Sequence, residues 1–299
     1  MELTVALLAG FTPFGIPHRE PPPLIARSPL LIAHRGGSGL APENTLAAFE
    51  SAHRNWAADM IELDVQATSD GRCVVIHDPT LERTTDGSGR VADLPWDAVR
   101  EFDAGYRFSA DGGRTHPFRG RGIGVPVIEE VLETLPAMPL TIEVKTGAAQ
   151  RPLLQAIAKF GATERVILAG MHDRDRTRFH EFGGVLSASS EQVSSYYRFH
   201  ALRLGRFWRV DSDVVQIPEH HGSRRIVTQR LVRELRAQGV PVHVWTVNVE
   251  SDMHRLLDWG VAGLVTDRPD LLSRVLHRRV DRPMPPGAEP PRERVEERR

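Results

Sequence analysis

His34, Arg35, Glu62, Asp64, His77, Glu143 and Lys145 all stand in, or just after, short apolar runs: LLIAH (30–34), MIELDV (60–65), CVVIH (73–77) and LTIEV (140–144). Each run reads as a buried strand. Side chains alternate along a strand, so Glu62 and Asp64 point to one side, and Glu143 and Lys145 do the same on theirs. Three carboxylates that converge away from water raise one another's pKa and are costly to keep charged unless a cation compensates them. Lys145 supplies part of that charge and a bound divalent ion would supply more. Oxygen ligands alone favour a hard ion, Mg²⁺ or Ca²⁺, over zinc. Histidine, with an unperturbed pKa of about 6.5, serves as base and acid at neutral pH. Arg35 offers a planar fork to phosphate oxygens and Lys145 a compact point charge. Together these residues describe a site for an anion whose charge rises during reaction, and a phosphodiester fits. A lone strand-end histidine is more often a hydrogen-bonded structural residue; recurrence of such groups on four strands is what points to a site.

These residues meet only if their strands are neighbours that share one end. Further runs at 166–168, 184–187, 214–217, 242–247 and 263–266 bring the strand candidates to nine. Helix-period segments lie between them at 44–56, 152–160, 228–238 and 250–259. Thr228 suits an N-cap, and Gly239 and Gly260 suit the left-handed residue past a helix end. This alternation predicts an α/β fold, a TIM-type (β/α)8 barrel, with a doubly wound open sheet as the alternative and one strand candidate surplus. In such a barrel the site lies at the C-terminal strand ends. QATSDGR between Val65 and Cys73 is too short for a crossover helix, so this unit must be irregular. Residues 82–126, rich in Gly and Pro with one weak helical piece at 97–102, read as a small inserted segment after the third strand, lying over one barrel face. Gly36 and Gly37 are expected to let the chain turn sharply and to leave room for a ligand, with Asn44 or Thr45 capping the next helix.

With 38 basic and 39 acidic residues the net charge is -1, which gives no global argument for nucleic acid or an anionic membrane. RGRG (119–122) and RRI (224–226) read as solvated surface. At 40% hydrophobic, the 299-residue chain can bury a sizeable core. The single cysteine, Cys73, lies in an apolar run and reads as a core residue. An apolar stretch at 3–16 has Glu2 where a signal peptide carries basic charge, and it is too short to span a bilayer. A segment that folds against the domain and a cytoplasmic location are expected, with export by an atypical signal the alternative. The Pro-rich, charged stretch at 280–299 reads as a disordered tail.

In order and spacing, HRG (34–36), PENT (42–45), ELDVQATSDG (62–71), VVIHDPTLERTTDG (74–87), IEEVL (128–132), IEVK (142–145), VHVWTVN (242–248) and GLVTDRP (263–269) resemble the glycerophosphodiester phosphodiesterase family, within the phosphatidylinositol-phospholipase-C-like superfamily. The resemblance implies a barrel domain over 30–275 preceded by an N-terminal segment at 1–29. It implies His34 and His77 as the acid/base pair, Glu62, Asp64 and Glu143 as ligands of one divalent cation, Arg35 and Lys145 as phosphate contacts, and Trp245 in the substrate pocket. The implied reaction is metal-dependent hydrolysis of a small glycerophosphodiester to glycerol 3-phosphate and an alcohol, with His34 expected as base and His77 as acid. AGMHD (169–173) departs from the Ser-Phe-Asp pattern usual there, which leaves the shape of the alcohol pocket open. A lysophospholipase D-like or sphingomyelinase D-like enzyme acting on lipid head groups is the alternative, and a non-catalytic phosphodiester-binding barrel the reading of a different class. No nucleic acid partner and no firm membrane association are expected; transient contact with a lipid surface stays open.

Overall fold

The computed structural model describes residues 16–288. Its strands are β1 (Leu30–His34), β2 (Met60–Ala67), β3 (Cys73–Val75), β4 (Leu140–Val144), β5 (Val166–Ala169), β6 (Val185–Leu186), β7 (Val215–Pro218), β8 (His220–His221), β9 (Arg224–Arg225), β10 (Val242–Trp245) and β11 (Gly263–Thr266). Eight of them run parallel in the order β6-β5-β4-β2-β1-β11-β10-β7, and a parallel bridge from Ser187 to Val214 joins the two ends. The sheet therefore curls into the TIM-type barrel and not into an open doubly wound sheet. The surplus strand is β3. It turns back antiparallel along the end of β2, pairing Val75 with Val65 and Cys73 with Ala67, which is what the short link between them requires. Cys73 is buried in the core, and burial pushes its thiol pKa up.

The helices are α1 (Pro23–Ala26), α2 (Leu46–Trp56), α3 (Trp96–Val99), α4 (Ile128–Thr134), α5 (Gly147–Lys159), α6 (Ser190–Ala201), α7 (Gln229–Ala237), α8 (Glu250–Asp258) and α9 (Pro269–Val280). Thr45, and not Asn44, caps α2 by accepting from the Ala48 amide, and Thr228 caps α7 by accepting from Leu231. Gly239 and Gly260 take φ of +74° and +84°, as their places past α7 and α8 demand. Helix α5 starts before Pro152 and carries it inside; proline's preference for a first turn had set the expected start too late.

Alternation along the strands builds the barrel interior in layers. Leu30, Ile32, Met60, Ile167, Val214 and Val265 pack with Ile25 of α1 in one apolar cluster. A polar layer adjoins it, in which Gln216 Nε2 lies 3.3 Å from both Thr141 Oγ1 and His243 Nδ1. Outward-facing residues such as Leu31, Ile61, Leu63 and Ile142 pack beneath the helices, where each buried aliphatic side chain contributes about 1.5–3 kcal/mol. The inserted segment has its own small core, with Leu81, Val91, Val99 and Val125 closing on Val74 and Ile76. Of the stretch expected as a tail, residues 281–288 lie against the barrel: Arg282 pairs with Asp59 at 2.5 Å and the Gly287 amide donates to Asn55 at 2.8 Å. Residues 289–299, and the N-terminal apolar run apart from Ile16, lie outside the described residues. Among the described residues no helix is long and apolar enough to cross a membrane.

Candidate active site

Strand alternation brings the acidic residues together. Glu62, Asp64 and Glu143 offer carboxylate oxygens that lie within 4.8 Å of one another, with Asp64 opposite Glu143 in the β2–β4 register. Lys145 Nζ lies 2.9 Å from both Asp64 Oδ1 and Glu143 Oε1. Burial, and then the neighbouring Asp64 charge, push Glu62 up to about 7. Asp64 is just as buried, yet Lys145 and Arg35 outweigh that cost and hold its carboxyl low. Asn44, with φ +57°, secures Asp64 twice, donating to Oδ2 at 3.0 Å and accepting from its amide at 3.2 Å. The all-oxygen set, with Glu62 lacking a lysine or arginine side-chain partner among the described residues, fits a hard divalent cation.

Arg35 holds its place at a cost of about 1–2 kcal/mol for a left-handed backbone, φ +51°. That turn points its amide at Glu62 Oε2 (3.0 Å) and its Nη1 at Glu43 Oε1 (2.8 Å). Its buried Nε, 3.2 Å from Asp64 Oδ2, makes no aligned hydrogen bond. Gly36 and Gly37 turn the chain as expected, at φ +84° and +90°. The space they leave is filled by protein and not by a ligand: a Cβ would meet Phe49 Cδ1 at 2.7 Å in one case and Pro269 Cγ at 2.8 Å in the other.

Each histidine is backed by a carboxylate. His34 Nδ1 lies 2.6 Å from Asp267 Oδ1, and Asp267 also accepts from Ser38 Oγ (2.5 Å) and Asn248 Nδ2 (2.6 Å). Burial would raise the Asp267 pKa, but the His34, Ser38 and Asn248 contacts hold it at about 2. Burial likewise opposes charge on His34, and Asp267 with Glu62 reverses the balance, so its pKa is raised. His77 Nδ1 lies 2.6 Å from Asp78 Oδ1. Asp78 accepts from Arg83 Nε at 2.5 Å, and that bond above all holds its carboxyl at about 2. Arg83 then forks onto Glu43 at 2.7 and 2.8 Å, so one ion network runs from His77 to Arg35. With Nδ1 engaged, each imidazole keeps Nε2 for other chemistry.

All the expected site residues, Trp245 included, line one cavity of about 730 Å³. Sequence reasoning gave no supporting role in the site to Asp267, Asn248, Ser38, Asp78, Arg83, Glu43 or Asn44, the last of which was expected only as a helix cap. Apart from Ser38, each lies inside one of the motif strings.

The family model described as "Glycerophosphoryl diester phosphodiesterase family" matches residues 34–271. A Bacillus subtilis glycerophosphodiester phosphodiesterase is 33% identical over 270 residues, covering 82% of this chain and 86% of that one. A probable glycerophosphodiester phosphodiesterase of Mycobacterium tuberculosis is 34% identical over 254 residues, covering 83% and 90%. Among solved structures, the glycerophosphoryl diester phosphodiesterase domain of an uncharacterized M. tuberculosis protein shares the fold, with a TM-score of 0.73 at 22% identity over 84% of this chain and 99% of that one.

Proposed function

The chain belongs to the glycerophosphoryl diester phosphodiesterase family of hydrolases, and from that premise we propose that it cleaves glycerophosphodiesters to glycerol 3-phosphate and an alcohol by paired histidine acid–base catalysis. One observation supports this reading above the rest. Two histidines, each with a carboxylate at Nδ1, line the same cavity as the Glu62, Asp64 and Glu143 cluster. Arg35 and Lys145 hold the phosphate. Glu62, Asp64 and Glu143 would hold the divalent cation, which when bound supplies charge stabilisation to the phosphoryl oxygens. His34 takes the proton of the attacking hydroxyl, the glycerol 2-hydroxyl or a water, as its oxygen bonds to phosphorus. The bond from phosphorus to the alcohol oxygen breaks, and His77 gives that oxygen its proton. Attack by water yields glycerol 3-phosphate directly; attack by the 2-hydroxyl yields a cyclic 1,2-phosphate, which a water then opens at the bond to the 2-oxygen, with His77 taking the water's proton and His34 returning one to that oxygen.

The test is a panel of glycerophosphodiesters and lysolipids, with and without chelator and with Mg²⁺ or Ca²⁺ added back. Chelator-sensitive release of glycerol 3-phosphate is expected, and no release from any diester would overturn the reading. Lysophosphatidate release would favour the lysophospholipase D-like alternative, for which the apolar Met171, Val193 and Ile226 on the cavity wall speak. Roles are separated by the leaving group. His34→Ala lowers turnover about 10²- to 10⁴-fold on alkyl and p-nitrophenyl diesters alike. His77→Ala does so on alkyl diesters only, because p-nitrophenolate leaves without a proton. The opposite pattern would exchange the two roles.

A further inference from the structure

The cavity is divided chemically. The carboxylates that line it, Glu62, Asp64 and Glu143, all belong to β2 and β4. Elsewhere on its wall, the turn after β5, helix α6 and the β8–β9 hairpin contribute Met171, His172, Val193, Tyr197, His221 and Arg224, and no carboxylate among the described residues. Nearby acids are already engaged. Glu191 accepts from His172 Nδ1 at 3.0 Å and from the Asp173 amide at 3.2 Å. Glu219 is held by Arg255 at 2.8 and 3.0 Å and by Arg225 at 3.0 Å. Arg224 has no ion-pair partner among the described residues; its guanidinium stands 5.2 Å from the centre of the Tyr197 ring. A pocket for a quaternary ammonium group needs the reverse arrangement, open aromatic faces with acids at the rim. Here the Tyr197 face is already occupied by a cation.

We propose that this half of the cavity is the subsite for the leaving alcohol, and that Arg224 makes it select an alcohol bearing negative charge, such as a phosphorylated polyol, over choline. The proposal rests on the phosphodiesterase reading and deepens it by naming the class of head group. Arg224 is a specificity residue at the mouth, partly screened by solvent, so its contribution is modest: a preference of about three- to tenfold. Added salt reduces that preference, as screening requires.

The experiment compares glycerophosphoinositol 4-phosphate, bis(glycerophospho)glycerol and glycerophosphocholine on the wild type, Arg224→Ala and Arg224→Glu. The readout is the ratio of kcat/KM between anionic and choline diesters. The ratio is expected to exceed one in the wild type, to fall about fivefold in Arg224→Ala and to fall further in Arg224→Glu, where like charges repel. A wild-type ratio at or below one, or the same ratio in all three proteins, overturns the proposal. Calorimetric binding of the same diesters to His77→Ala separates this result from the catalytic reading. Tighter binding of the anionic diesters without hydrolysis by the wild type would sink the hydrolase and support the subsite; equal binding would sink the subsite while leaving the hydrolase intact.

Discussion

Asp267 reaches His34 from 233 positions along the chain, and that distance explains which parts of the site were legible. His34, Glu62, Asp64, His77, Glu143 and Lys145 declared themselves because a polar residue at a strand end is a local signal. Asp267 did not, because a hydrogen bond from the residue after β11 to the end of β1 has no local signature. Asp267 nevertheless sets the tautomer and orientation of His34, since its acceptor oxygen keeps the proton on Nδ1. Asp267→Asn is expected to lower kcat about 10²-fold with little change in KM, measured by steady-state kinetics on a fixed diester. A matching rise in KM with kcat intact would mean that the carboxylate serves binding only.

At the scale of elements, the β-branched runs were read well because barrel strands are buried on both faces. Helix α6, SEQVSSYYRFHA, was not expected, since its polar residues blur the apolar stripe; the β8–β9 hairpin was missed because its residues are exposed and carry no alternation. RRI at 224–226 looked like plain surface for the same reason, although Arg224 and Ile226 line the cavity. The β1–α2 turn shows how tightly an element can bind the sequence. Gly36→Ala combines a φ of +84° with a clash on Phe49 and Ala48, and should cost about 2–4 kcal/mol in urea denaturation. Gly71→Ala, at φ +79° with nothing within 4 Å, should cost about 1 kcal/mol. Equal costs would show that backbone conformation, and not packing, makes Gly36 necessary.

Across the whole molecule, the polar layer inside the barrel makes stability depend on pH. His243 is fully buried without a charged partner among the described residues, and burial lowers its pKa from 6.5 to about 4. Between those values the unfolded chain binds a proton that the folded chain refuses. This group's stability is therefore intact above about pH 6.5 and declines as the pH falls toward 4, by about 3 kcal/mol in all. The difference in urea stability between pH 7 and pH 4.5 should shrink in His243→Gln; an unchanged difference would place the acid sensitivity elsewhere. The barrel's closure carries a different consequence. Paired residues from Ile61 beside Leu140 to Val65 beside Val144 bind β2 to β4 under the carboxylates, whereas β6 meets the lead-in to β7 through the Ser187–Val214 bridge and hydrogen bonds from Asp213 and Ala188. Ser187, Ala188, Ser190 and Tyr197, which line the cavity on the side proposed for the alcohol, rise from that seam. On the proposed reading, head-group choice and bond cleavage are thus mounted on different parts of the cylinder, and natural drift or directed evolution would retune the first at 187–197 and 219–226 while the second is inherited unchanged.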